Sequence, residues 1–358
     1  DPESTWLRKE GFNGHDWAFC MLLNFGSNVG LYGKLQHVVD EYYKARQSKF
    51  ASTLKGVGLT MEGIENNPVM YELVSELPWR NNKFGWQEWL NNYVEAHYGN
   101  INNTKVHDAW MLLARSVYGA SDKVLEQGCH ESVLCARPAL DVYQVSSWSE
   151  MEEFYNPDDV IRAAQLMVEA SHEVKANANF RYDLVDITRQ AIAEKARYVY
   201  AEIVAAYRAK DRKMFDYTTR RFLDIILQQD RLLSSIPDFM VGTWIRSARN
   251  LGTNTQESNH YEWNARVQIT TWGNRDAAEK GGLREYAHKE WNGVLADFYY
   301  PRWKVYFEAL ADTFDGKPMK NIDFYAMDEA WTLKHNVYPY EAQGDAVEFA
   351  QKAAAEVL

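Results

Sequence analysis

The stretch WAFCMLLNFGSNVGLYG, Trp17 to Gly33, decides the fold. Its first nine residues are almost all apolar, without the in-out alternation of a half-buried strand. The run therefore reads as a strand covered on both faces, as in parallel sheets. A loop carrying Gly26, Gly30 and Gly33 follows, then a helical stretch over 35–46. Residues 54–59, LKGVGL, read as a second strand. After the polar segment TMEGIENN, Asn67 reads as an N-cap and Pro68 as the first helical residue. Val69, Met70, Leu73, Val74 and Leu77 give that helix one apolar face. The order β-α-β-α is the unit of a parallel sheet with helical crossovers. Two such units can neither close a barrel nor cover a parallel sheet. The expectation is that the chain begins inside a domain, with the other strands upstream or on another chain.

From Phe84 onward the pattern is helical. Amphipathic segments cover 86–98 and 106–118, each followed by a glycine. Asn156, Pro157, Asp158 and Asp159 open a further helix, with a cap, an N1 proline and two acids at the positive dipole end. Others are expected over 182–209, 213–234, 256–271, 283–297 and 302–311. The organisation expected is mainly α: residues 1–82 as the β/α part, residues 83–358 as an all-α bundle of about ten helices.

Composition excludes some functions. The 358 residues carry a net charge of −11, which disfavours phosphate backbones and anionic membrane surfaces. No apolar run is long enough to span a bilayer. Cys20, Cys129 and Cys135 do not form a disulfide framework, although the last two are close enough in sequence to bridge. The nine histidines are scattered, and His130-Glu131 and His172-Glu173 read as surface pairs, not zinc ligands. Thirteen Trp, 22 Tyr and 15 Phe supply flat faces that suit sugar rings or the cores of long helices.

Glu62 follows the second strand, where parallel α/β folds gather their catalytic groups. A carboxylate there can attack an anomeric carbon or move a proton; the plainer reading is a solvated loop residue. Glu65 reads as a surface or capping carboxylate. Asn24 ends the first strand. It suits a sugar hydroxyl or a catalytic carboxylate, or equally a turn beside Gly26; Asn28 has the same ambiguity. Trp272 sits at a helix end before a glycine loop, and Tyr286 on the next helix; core packing is the alternative for both. Arg302 belongs to a packed corner, YYPRW, and is expected to hold a carboxylate or carbonyl there.

At these residues the chain resembles the family 89 glycoside hydrolases, the α-N-acetylglucosaminidases. CMLLNFGSNVGLYG (20–33) is similar to the family's CMLHNFGGNxGLxG. GLTMEGIENNPVMYELVSELPWR (58–80) is similar to its GMxPEGIxxNxVVYxLMxExxWR. NARVQITTWG (264–273) and YAHKEWNGVLADFYYPRW (286–303) resemble two segments of its helical domain. The order is preserved across nearly the whole chain. Met61 and Leu23 depart from the family's proline and histidine, Phe19 from its frequent tryptophan, and the loop before Tyr286 is longer.

The resemblance implies the last two β/α units of a (β/α)8 TIM barrel, then an all-α domain that completes the active-site wall. It implies removal of terminal α-linked N-acetylglucosamine with retention of configuration, from heparan sulfate in lysosomal members and from host or mucin-type glycans in bacterial ones. Glu62 maps to the nucleophile, Trp272 and Tyr286 to sugar contacts from the helical domain, and Asn24 to the asparagine of the HNFGGN motif. The acid/base glutamate is expected upstream of residue 1. No metal or organic cofactor is required. The partners expected are the glycan and the rest of the barrel, and the substrate class suggests a secreted, periplasmic or lysosomal setting. The rival from another class is a non-catalytic glycan-binding or scaffolding helical protein.

Overall fold

A computed structural model describes residues 4–63, 66–99, 101–120, 128–147 and 153–358; Glu65 lies outside them. Packing groups the chain into two units: Asp1–Cys129 with Glu153–Asn177, and His130–Glu152 with Ala178–Leu358. The first three helices after residue 82 group with the β/α segment in these units.

In the first unit, α1 (Thr5–Arg8) precedes β1 (Trp17–Leu23), α2 (Leu35–Arg46), β2 (Leu54–Met61) and α3 (Pro68–Glu76). Strands β1 and β2 pair in parallel, with Leu23 opposite Met61. The expected strand ran on to Phe25; it stops at Leu23 because Asn24 turns into the left-handed region at φ 48°. Met21 and Leu23 are buried, whereas Ala18 and Cys20 are open, so the strand is not covered on both faces among the described residues. On α2, Leu35, Val38, Val39 and Tyr42 share one buried face at helical spacing.

Three helices complete this unit: α4 (Trp86–Tyr98), α5 (Thr104–Arg115) and α6 (Pro157–Val174). Gly99, at φ 77°, ends α4 where a side chain would be strained. Asn103 caps α5 by accepting from the backbone N–H of Lys105 and Val106, and its amide donates to Glu173 Oε2 at 2.8 Å. The segment expected to stay helical to Tyr118 breaks at Ser116. There Val117 and Tyr118 give their carbonyls to the N–H groups of Gly33 and Leu35 instead. Asn156 accepts from Asp158 N–H and Pro157 opens α6, as read from the sequence.

The second unit holds α7 (Ala178–Arg208), α8 (Arg212–Leu233), α9 (Val241–Arg249), α10 (Thr255–Gln268), α11 (Tyr300–Phe314), α12 (Phe324–Thr332) and α13 (Ala346–Val357). Helix α8 folds back on α7 through Lys210, at φ 57°, and Asp211 caps it through Met214 N–H. Helix α13 packs against both. Among the described residues, no helix is long and apolar enough to cross a membrane. None of the three cysteines is in a disulfide among the described residues; Cys129 and Cys135 are buried and Cys20 is exposed.

The helix expected over 283–297 does not form. Residues 283–293 run as turns, with Glu285 at φ 59° and Gly293 at φ 87°. Their backbone pairs sideways instead: Asn292 N–H donates to Phe239 O at 2.8 Å, and Val241 N–H to Asn292 O at 3.1 Å. Helical geometry resumes with a π-turn over Leu295–Tyr299, and Asp230 caps its start by accepting from Gly293 and Ala296 N–H.

Candidate active-site groups

The register of the parallel pair fixes the first group. With Leu23 opposite Met61, the next residues, Asn24 and Glu62, leave the sheet together at its C-terminal edge. Glu62 is exposed, and the backbone N–H of Gly26 donates to its Oε2 at 2.6 Å. A charge-assisted bond of this kind holds a carboxylate in one orientation.

Asn24 is fully buried. Its Nδ2 donates to the carbonyls of Asn28 at 2.6 Å and Gly30 at 2.8 Å, so the amide organises the loop that bears Gly26. Its Oδ1 is buried without a hydrogen-bond partner among the described residues. Two further asparagines reach the same loop from the start of α3. Asn66 Nδ2 donates to Asn28 O at 3.3 Å. Asn67 Nδ2 donates to Gly30 O at 3.1 Å, and its Oδ1 accepts from Tyr32 N–H at 2.9 Å. The N-cap expected at Asn67 is therefore absent: its side chain turns away from α3, and its own backbone is left-handed at φ 46°. Nothing in one dimension marks Asn66 and Asn67 as partners of a loop some 35 residues earlier.

The second group lies in the helical unit. Helix α10 ends at Gln268, so Trp272 stands four residues beyond it, at φ 59°, with its N–H on Val267 O at 2.8 Å. Glu285 N–H donates to Thr270 O at 2.8 Å and returns the chain to the same place. Tyr286, on a turn and not on the expected helix, then meets Trp272 edge to face, ring centroids 4.9 Å apart and planes at 66°. This is the favoured geometry for two quadrupoles. Both rings are half-buried.

Beneath this pair lies a buried ionic network that the sequence reading placed only at Arg302. Arg302 holds the Glu285 carboxylate in a short charge-assisted bond, and Tyr299 Oη donates to the same carboxylate at 3.3 Å. Burial pushes the Glu285 carboxyl up, and Arg302 opposes it. His130 and Glu131, expected on the surface, are both buried. Glu131 accepts from Val145 N–H at 2.7 Å and from the N–H and hydroxyl of Ser146. Burial nevertheless raises its carboxyl to about 8. His288, beside it at 3.7 Å, is lowered by burial to about 4. Farther in, Arg189 joins Asp186 at 2.8 Å and Glu290 at 2.5 Å, and burial lifts Asp186 to about 6. The only sequence signal for this network is the density of charge in EYAHKEW and ITRQAIAEK, segments otherwise apolar enough for a core.

Parallel β/α units ending in a carboxylate, followed by an all-α unit bearing a half-buried aromatic pair, define a multidomain α/β protein with an appended helical domain. The alpha-N-acetylglucosaminidase (NAGLU) tim-barrel domain matches residues 1–81, and the C-terminal domain of the same family matches residues 89–356. The chain belongs to the alpha-N-acetylglucosaminidase family, family 89 of the glycoside hydrolases. It is 33% identical to human alpha-N-acetylglucosaminidase over 98% of its own length and 46% of that protein, so it spans about half of this relative. It superposes with TM-score 0.93 and 30% identity on a family 89 glycoside hydrolase from Clostridium perfringens in complex with PUGNAc, covering 99% of this chain and 40% of that one. The same values hold for a variant of the Clostridium enzyme with two glutamates changed to glutamine, in complex with its substrate GlcNAc-alpha-1,4-galactose.

Proposed function

We propose that this chain is part of an exo-acting retaining glycoside hydrolase that removes terminal α-linked N-acetylglucosamine, with Glu62 as nucleophile. The observation that carries the reading is Glu62 exposed at the end of a parallel strand, with its Oε2 held by Gly26 N–H. One Glu62 oxygen attacks the anomeric carbon as the bond to the leaving oxygen breaks, and that oxygen takes a proton from a second carboxylic acid. The same second group then removes a proton from water, which displaces Glu62 and regenerates the carboxylate. The acid/base glutamate comes from outside this chain, as does the remainder of the barrel. Two glutamates replaced in a substrate-bound relative support a two-carboxylate mechanism. Asn24 is assigned to the sugar-binding edge through its Oδ1, which has no hydrogen-bond partner among the described residues, and Trp272 and Tyr286 offer their half-exposed rings to the terminal sugar. The chemistry needs no cofactor, and its substrate class fits a secreted, periplasmic or lysosomal enzyme.

The test is covalent trapping of the complete enzyme with a fluorinated glycosyl donor, followed by mapping of the labelled peptide. The label is expected on Glu62, and Glu62→Gln is expected to abolish hydrolysis of an aryl α-N-acetylglucosaminide. Normal turnover by that variant removes the nucleophile role and favours a binding or scaffolding protein.

A further inference from the structure

We propose that Asn67 is a positioning residue that holds Glu62 in its attacking orientation through the loop bearing Gly26; this rests on the assignment of Glu62 as nucleophile. The loop after β1 is in an unfavourable conformation. Asn24, Gly26 and Ser27 all have positive φ, at 48°, 63° and 57°. For the non-glycine residues this is the left-handed region that L side chains rarely adopt. Such a loop keeps its shape only where its surroundings over-determine it, and here the restraint is a set of buried amides. Gly30 O accepts from both Asn24 and Asn67, at 2.8 Å and 3.1 Å. Asn67 also takes Tyr32 N–H at 2.9 Å, so its amide clamps the loop by donor and acceptor at once.

The arrangement is reciprocal. The loop after β1 presents Gly26 N–H to Glu62, and the loop after β2, which begins at Glu62, returns Asn67 to hold the first loop. Asn67 is fully buried and both ends of its amide are taken up, by Gly30 O and Tyr32 N–H, so it acts through the backbone. Loss of its amide removes two of the restraints on the 24–32 segment and lets it shift, which moves Gly26 N–H off Oε2. Misplacement of a reacting group by about 1 Å can cost on the order of 100-fold in rate.

The experiment uses the complete enzyme carrying Asn67→Gly, which accepts the positive φ while removing both side-chain bonds. Asn67→Asp is the partner variant: it keeps an acceptor for Tyr32 N–H and removes the donor to Gly30 O. Expected for Asn67→Gly are a fall in kcat of about 10- to 100-fold, KM within about threefold, and an equal slowing of trapping by the fluorinated donor. Asn67→Asp is expected to fall between this and the parent. If the label maps to Glu62 but both variants trap at the parental rate, the positioning role is overturned while the nucleophile stands. A label on another residue overturns the nucleophile and this inference together. If neither variant folds, or if KM rises as kcat falls, Asn67 is a structural residue only and the inference fails.

Discussion

Trp272 and Tyr286 pack edge to face, 4.9 Å between ring centroids, although 13 residues separate them and neither lies on a helix. The backbone bond from Glu285 N–H to Thr270 O closes that loop. Because both rings are only half-buried, truncating either leaves the helical unit folded. Trp272→Ala is expected to raise KM for an aryl α-N-acetylglucosaminide about tenfold or more, the loss of roughly 1.4 kcal/mol of ring contact. Circular dichroism should be unchanged; an unaltered KM removes the ring from the sugar site.

The Glu285–Arg302 pair bears on stability. Both side chains are almost fully buried, and Arg302→Met leaves the carboxylate without its cation. Removing one partner of a buried pair typically costs ~3–5 kcal/mol. Urea unfolding should show that loss, and adding Glu285→Gln should recover part of it. A single Arg302→Met variant as stable as the parent contradicts this account.

Glu131 predicts a pH dependence. Its carboxyl titrates near 8 in the folded chain and near ~4.3 when unfolded, so between these values the folded state binds more protons. Its contribution to stability is therefore complete below the lower value and is lost as pH rises toward 8. His288 runs the other way: at about 4 folded against ~6.5 unfolded, its contribution is lost as pH falls from 6.5. Well above pH ~6.5 the imidazole is neutral in both states, and Asp186 and Asp230, raised to about 6, are largely ionised. Between pH ~6.5 and ~8 Glu131 contributes a falling slope of at most about 1.4 kcal/mol per pH unit, beside Glu285 and Asp328, whose carboxyls burial also raises. Urea midpoints should fall less steeply across that window in Glu131→Gln than in the parent.

Gly242 is predicted to tolerate no side chain. A Cβ there would lie 2.0 Å from the carbonyl oxygen of Pro339, a backbone atom that cannot rotate away. Gly242→Ala should therefore destabilise by about 1–3 kcal/mol or more, visible as a lower thermal midpoint. An unchanged midpoint would show that residues 338–340 move freely.

The sequence alone determined the β-α-β-α opening, the parallel pair and the placing of Glu62 just past a strand, because apolar runs, turn residues and an N1 proline are local signals. It also marked most helices, whose apolar spacing and caps, such as Asn156-Pro157, lie within a few residues of one another. Tertiary structure decided what depends on distant partners. Residues 283–293 have helical composition but pair with the 239–241 segment, and Asp230 fixes where helix resumes. Asn67 looks like a cap but clamps Gly30 and Tyr32, and Glu131 looks like a surface charge but is buried against Ser146. A polar side chain goes where its hydrogen bonds can be completed, and in each of these cases the completing group comes from another part of the chain.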